Sequence, residues 1–411
     1  LSAGAAVAGS VAKDNPTLLN RWVMLAAFFL AIALPEFLWS SFPPILTIVA
    51  ERFGLGPAAA SFPIICFAIG TVLFTGIAGR TIDRRGYTVA IRIGLSLMTV
   101  CAGLRSVDGP FWLLAVAQGG IGAAFTFVAS SISAYVVDWF DDKLVPLVTG
   151  ICVNGLWVGL GVSMIVTPLW VNHFGFLGMM RVTAGGAMLI WLAAVALIRP
   201  REIMTRTTVP RISTRSAVRG LFSNRTLLLI FAISFLSGGI YSAVTAALEI
   251  IWVGRGLTPA DAGLANGLGI FGSIAGGFLL PLLQTRLKSG KWTLVLSQSM
   301  TLLLCYPLLQ ASSPSSGTVI AIVLGVFWLG STPVSLTVVE GAAGSSQAGA
   351  ASSMFWALNA IGSMGFVWAF TEIMEWASWR AAAVFALVLL AGALAAALAL
   401  PASRDERQVN P

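Results

Sequence analysis

Glu36 is a carboxylate set inside a long apolar run, with Trp39 three residues further on. A charge in such surroundings is costly, and it persists where it faces a cavity, a counter-charge or a proton path. Positions i and i+3 share one face of a helix, so carboxylate and indole look the same way. About 202 residues later, Tyr241 opens a matching stretch: Leu55-Gly56-Pro57-Ala58 answers to Leu257-Thr258-Pro259-Ala260, and Gly70 to Gly272. Asn154, Trp157 and Asn359 are further polar or amphipathic groups within apolar runs. Ring faces and a lone carboxylate suit recognition of an ammonium group or carriage of a proton. They do not assemble a nucleophile. The sequence has no G-x-x-x-x-G-K-[ST] phosphate loop, HExxH pair or G-x-S-x-G elbow. Its one histidine, His173, is expected in an outer loop and leaves acid-base and metal chemistry poorly served. The expectation is a protein that is not an enzyme and carries no cofactor or metal.

What positions these residues is a membrane. Of 411 residues 57% are hydrophobic and 10% charged, and the mean hydropathy is +0.91, which excludes a separate soluble catalytic domain. A span takes roughly 20 apolar residues. Apolar runs predict twelve helices, numbered 1 to 12, near 22–49, 58–78, 89–104, 111–137, 144–171, 182–198, 227–253, 262–283, 292–309, 319–339, 348–370 and 381–400. The fold class is therefore all-α integral membrane, with two six-helix halves at 21–198 and 226–400. A mobile tail (1–20), a linker (199–225) containing Arg199, Arg206 and Arg219, and a second tail (401–411) complete the chain. Most of the 24 Lys and Arg fall in segments on the side of the termini, whereas Arg52, Arg105, Arg181, Arg255 and Arg380 fall on the other. The positive-inside rule then places both termini in the cytoplasm of a cell membrane, and the net charge of +8 needs no nucleic-acid partner. Cys66, Cys101, Cys152 and Cys305 lie in apolar runs and read as free thiols. The expected partners are the bilayer, a small-molecule substrate and a coupling proton, and the chain is expected to be a monomer.

Between helices 2 and 3 stands Gly79-Arg80-Thr81-Ile82-Asp83-Arg84-Arg85-Gly86-Tyr87. It resembles the cytoplasmic loop signature of the major facilitator superfamily, G-x-x-x-D-R-x-G-R, matching at Gly79, Asp83, Arg84 and Gly86, with Tyr87 where a basic residue is usual. That resemblance implies alternating access between two halves related by an axis along the membrane normal. Asp83 can bond neighbouring helix ends, and Asp138 at the inner end of helix 4 can pair with Arg84 or Arg85. In the second half the loop is degenerate, holding Gln284, Arg286 and Lys288, with Glu340 ending helix 10 as a partner for them. Together these read as an inner gate of ion pairs.

At about 1.5 Å per residue, Glu36 and Trp39 lie roughly 21 and 25 Å along helix 1, and Tyr241 roughly 21 Å along helix 7. Asn154 and Trp157 lie roughly 15 and 20 Å along helix 5, and Asn359 roughly 17 Å along helix 11. All six converge near mid-membrane, too deep for an interfacial aromatic belt. No Lys or Arg is expected in the middle of a cavity helix, which disfavours anionic substrates.

A narrower resemblance is to the feline leukaemia virus subgroup C receptor-related family of choline and heme carriers. It is carried by Phe37-Leu38-Trp39, by Leu104-Arg105 with Pro110-Phe111-Trp112 and Gln118, and by Gly239-Ile240-Tyr241-Ser242-Ala243. It implies that Trp39 and Tyr241 pack against an ammonium group. Departures are Trp157, in place of that family's binding glutamine, and Glu36, where the family is uncharged. The readings left open are a carrier of a small organic cation, zwitterion or neutral metabolite, a proton-coupled exporter of hydrophobic or cationic compounds, and a transporter-like receptor.

Overall fold

Backbone polar groups in a bilayer must be satisfied within the protein, which leaves apolar runs of this length only the helix. The computed structural model describes residues 18–141, 143–198, 221–344 and 347–401. The two predicted tails, apart from their innermost residues, and most of the 199–225 linker lie outside the described residues. Helix 1 is Leu18–Trp39, carried on by Pro43–Ile45 and Leu46–Phe53. Helices 2 and 3 are Phe62–Arg85 and Tyr87–Arg105, and helix 4 is Phe111–Ala129 with Ile132–Trp139. Helices 5 and 6 run together as Val145–Leu197. Helix 7 comprises Arg225–Ile233, the π turn Ser234–Gly238 and Gly239–Val253. Helices 8 and 9 are Pro259–Leu287 and Gly290–Gln310. Helix 10 comprises Pro314–Phe327, Leu329–Ser331 and Thr332–Ala343, and helices 11 and 12 are Ala348–Trp376 and Trp379–Leu398.

The 53 residues of Val145–Leu197 would extend about 80 Å at 1.5 Å per residue, against a hydrocarbon core of about 30 Å. Gly175, at φ 73° and ψ 172°, divides them into two crossings. Twelve crossings result among the described residues, and their even number returns the chain to one face, here the terminus face; the opposite one is the far face.

Three local expectations change. His173 and Arg181 are helical, because helices 5 and 6 meet at Gly175 with no outer loop between them. Gly79 to Arg85 form the last turns of helix 2, so the expected loop shrinks to Gly86, whose φ of 86° permits the reversal into helix 3. In the second half, helix 8 extends through Arg286 to Leu287 and turns at Lys288, φ 49°.

The internal repeat is visible in the packing. Gly70 of helix 2 sits against the backbone of helix 4 at Gly119, and its counterpart Gly272 of helix 8 sits against helix 10 at Ile322. A side chain at either place would collide with the neighbouring carbonyl, so small residues set the contact. Helices 4 and 10 also break at matching points, Ser130–Ser131 and Trp328–Ser331.

On the terminus side each half has its own core, Phe28, Ile32, Leu95 and Tyr135 in the first, Leu227, Phe231, Val334 and Phe355 in the second. On the far side one core serves both: Phe42, Ile45 and Leu46 pack with Val244, Leu248 and Trp252. Gly263 and Gly267 of helix 8 lie against Met164 and Gly161 of helix 5, extending that contact. The halves thus join at the far face and part towards the terminus face.

Candidate functional site at the junction of the halves

Helix 1 stops at Trp39 because Pro43 and Pro44 have no N–H to continue the ladder. The carbonyl of Leu38 is taken up from elsewhere. Arg105 of helix 3 donates to it at 2.9 Å, Gln118 Nε2 at 3.4 Å and Ser41 Oγ at 2.8 Å. The same guanidinium donates to Gln118 Oε1 at 2.9 Å and Ser41 Oγ at 3.1 Å, and stands 5.0 Å from the centre of the Phe42 ring. A cation at the C-terminal end of a helix is favoured by the helix dipole, and here it fixes the bend beside Trp39. Arg105 ends helix 3 on the far side, grouped with Arg52 and Arg255 as the sequence predicts, but its side chain does not reach solvent. It is 2% exposed, folded inward under the break and sealed from the space between the halves.

In helix 7 the π turn Ser234–Gly238 lies just before Tyr241. Trp328, at the break of helix 10, donates its indole N–H to Ser237 O at 3.0 Å and meets the Tyr241 ring edge to face at 5.3 Å. Such π turns widen a helix locally and are frequent at functional sites.

Between these two irregular helices, Trp39, Trp157 and Tyr241 pack around Leu160, Met164 and Ile270. The structure thus brings the three predicted aromatic residues, from helices 1, 5 and 7, to one place. Trp39 continues into an aromatic row with Phe67 at 5.7 Å and Phe125 beyond it at 5.6 Å. Glu36 is half-buried, its carboxylate has no hydrogen bond or ion pair among the described residues, and it is close enough to the Tyr241 hydroxyl to interact with it electrostatically. Asn359 of helix 11 lies against Gly238, about one turn from Tyr241 on the terminus side. Asn154 is half-buried and its amide donates to Gly150 O in its own helix at 2.9 Å.

The gate residues separate into two groups. Asp138 accepts a 2.6 Å hydrogen bond from Tyr87, which also accepts from Trp139 Nε1 at 2.9 Å; the aromatic that replaces the usual basic residue thereby reaches the helix 4 carboxylate. Asp83, Arg84 and Arg85 are exposed at the end of helix 2. In the second half, Arg286 and Glu340 are both exposed and do not pair; the contact there is Gln284 with Thr337 at 3.4 Å.

Phe67, Phe125 and Trp328, and the inward role of Arg105, were not singled out from the sequence. The first three are aromatic residues in apolar runs, which look the same whether they fill a core or line a site. Arg105 carried a signal, a cation at the boundary of an apolar run, and its direction is a tertiary matter.

Comparison with known proteins agrees with this architecture. The chain is 24% identical to the 2-nitroimidazole transporter of Escherichia coli (strain K12) over 66% of its own length and 67% of that protein's. It is 29% identical to Multidrug resistance protein 1 of Bacillus subtilis (strain 168), over about a third of each chain, 34% in both cases. The solved inward-facing, occupied structure of a bacterial homologue of the human lysosomal transporter Spinster superposes with a TM-score of 0.75 at 13% identity, over 92% of this chain and 96% of that one. The sequence profile described as Major Facilitator Superfamily matches residues 28–367. Paired halves, broken helices around a central site and this match lead to one conclusion: the chain belongs to the Major Facilitator Superfamily and is a multi-pass membrane transporter, not an enzyme.

Proposed function

We propose that the protein carries a small organic cation, zwitterion or neutral metabolite by alternating access, with a choline-like amine as the reference substrate and the site formed by Glu36, Trp39, Asn154, Trp157, Tyr241 and Asn359. The reading is carried by the convergence of Trp39, Trp157 and Tyr241 on one apolar cluster beside the unpaired carboxylate of Glu36. Desolvated aromatic faces attract ammonium groups by roughly 0.5 to 2 kcal/mol each, and Glu36 supplies negative potential. Arg105 offers no competing hydrogen bond to a substrate, because it is sealed and committed to Leu38, Gln118 and Ser41. The terminus face is cytoplasmic on the positive-inside argument. Asp83, Arg84, Arg85 and Asp138 form the inner gate of the first half, with Arg286 and Glu340 its weaker counterpart.

The test is a thermal-shift screen of the purified protein with small amines, zwitterions, anions and neutral aromatic compounds, since a ligand that binds only the native state raises its stability. An amine should register, and replacing Trp39 or Tyr241 by Ala should weaken its binding about tenfold or more. Phe at position 241 should do less, if the ring face matters more than the hydroxyl. Unchanged binding in both Ala variants would refute the aromatic site. A flux assay in liposomes then separates a carrier from a receptor that binds without transport.

A second reading is favoured by the lack of a partner for the Glu36 carboxylate among the described residues: a proton-coupled exporter of hydrophobic or cationic compounds. Under it, Glu36→Gln abolishes accumulation driven by a pH gradient and retains substrate exchange. Under the counter-charge role the same change weakens cations and spares neutral ligands.

A further inference from the structure

Glu249 of helix 7 is fully buried, and its carboxylate accepts two hydrogen bonds from Thr47 in the continuation of helix 1, one from the backbone N–H at 3.0 Å and one from the hydroxyl. Although it stands two turns beyond Tyr241 towards the far end of its helix, it is 0% exposed. The two residues are 202 apart, the offset that relates Trp39 to Tyr241. They are therefore the same position in the two halves. Equivalent positions can touch only on the axis relating the halves, so this pair sits on the pseudo-two-fold axis, about 12 Å beyond Tyr241 along helix 7. Around it lies the apolar core that both halves share. A second glutamate bridges the halves nearby, Glu375 of helix 11 accepting from Ala58 N at 3.3 Å.

Among the described residues no cation answers Glu249. Neither the Arg21–Asp141 nor the Arg52–Asp108 ion pair involves it. Of the charged groups on neighbouring elements, Glu51 acts on it electrostatically and repels, while Arg52 is held by Asp108. Arg255, at the end of its own helix, donates to Leu309 O and stands over Trp379. Asp261 of helix 8 is engaged in its own helix cap. Glu372 on helix 11, Tyr306 on helix 9 and Arg380 on helix 12 make no bond to it, and Arg380 stands against Trp379.

We infer that Glu249 is a proton-binding site which stabilises closure of the far side. The inference rests on alternating access as proposed above and is independent of the substrate. In the closed state the carboxylate has no water and no counter-charge, a costly condition for an anion. The neutral acid loses nothing there: its carbonyl oxygen accepts from Thr47 N–H and its hydroxyl donates to Thr47 Oγ1. When the halves part at the far face, Glu249 meets water and the ionised form is hydrated. The closed state therefore holds the proton more tightly, and by linkage protons favour closure. The step is one proton added to a carboxylate oxygen, taken from water at the far face as the halves close.

The experiment uses the full chain in nanodiscs with spin labels at Val107→Cys and Ser312→Cys, two exposed far-face positions on opposite halves, in a Cys66→Ala background. The ratio of closed to open far side should rise as pH falls, by up to about tenfold per pH unit, the limit for one coupled proton. Glu249→Gln, whose amide imitates the neutral acid towards both Thr47 groups, should stay closed at every pH. Thr47→Val, which keeps the N–H and loses the hydroxyl, should close less at each pH and retain the response. A pH-independent wild type, or a Glu249→Gln protein with the wild-type response, overturns the assignment, as does loss of the response in Glu36→Gln alone. A label distance that changes neither with pH nor in any variant overturns both this inference and alternating access.

Discussion

Arg105 shows how one side chain can decide the shape of a site it never touches. The bend at Pro43 strands carbonyls in the membrane interior, and a guanidinium with several donors in a fixed fork satisfies the one at Leu38 while also holding Gln118 and Ser41. Arg105→Met should cost about 2 kcal/mol of stability, the order of one charge-assisted hydrogen bond left unmade, and should lower the thermal unfolding midpoint. Arg105→Lys, a point charge without the fork, should fall between. Unchanged unfolding in both would show that the bend is held by the prolines alone. At this scale the sequence was partly readable. Glu36, Trp39, Trp157 and Tyr241 stand out because polar or amphipathic groups are rare deep in a span. Trp328 and Phe67 do not, because an aromatic among apolar residues is the ordinary content of a core.

Helices here are informative where they fail. Pro43–Pro44 interrupts helix 1 inside the span predicted as continuous near 22–49; the residues carry that signal, since neither proline has an N–H to extend the ladder. The π turn of helix 7 follows no such residue: Ser234–Gly238 has no proline, and its widening depends on Trp328 capturing the Ser237 carbonyl and on the close approach of helix 11 at Asn359. The boundary between helices 5 and 6 was misplaced for a related reason. A single glycine at φ 73° and ψ 172° replaces a loop, and periodicity sees no interruption in so short a turn. Those dihedrals are essentially restricted to glycine, and a methyl group at Gly175 would meet nothing within 4 Å. Gly175→Ala should therefore cost on the order of 1 to 3 kcal/mol through backbone strain alone, measured as a lower unfolding midpoint, whereas Ala at Gly185, a helical glycine equally free of neighbours, should be neutral or mildly stabilising. Equal effects at both positions would contradict the hinge.

At the scale of the whole molecule, separate cores on the terminus side and a shared core on the far side predict which face admits solutes. Gly150→Cys, on the terminus-side part of helix 5 with open space around it, should react with a membrane-impermeant thiol reagent in inside-out vesicles and resist it in intact cells. The reverse pattern would invert the proposed orientation. The number of crossings and the repeat were legible because span length and the 202-residue offset are properties of the chain; which face was closed was not, since that depends on contacts between residues hundreds of positions apart. The Thr47–Glu249 contact has a consequence for ancestry. In a symmetric dimer of six-helix units, a residue on the axis meets its own copy, so the position could hold two glutamates, which repel unless they share a proton, or two threonines, which carry no acid. A glutamate facing a threonine cannot be encoded by one gene copy at such a point. Joining the units in a single chain lets the two copies differ, and the axis is then the one place where that divergence creates a contact no symmetric ancestor could possess.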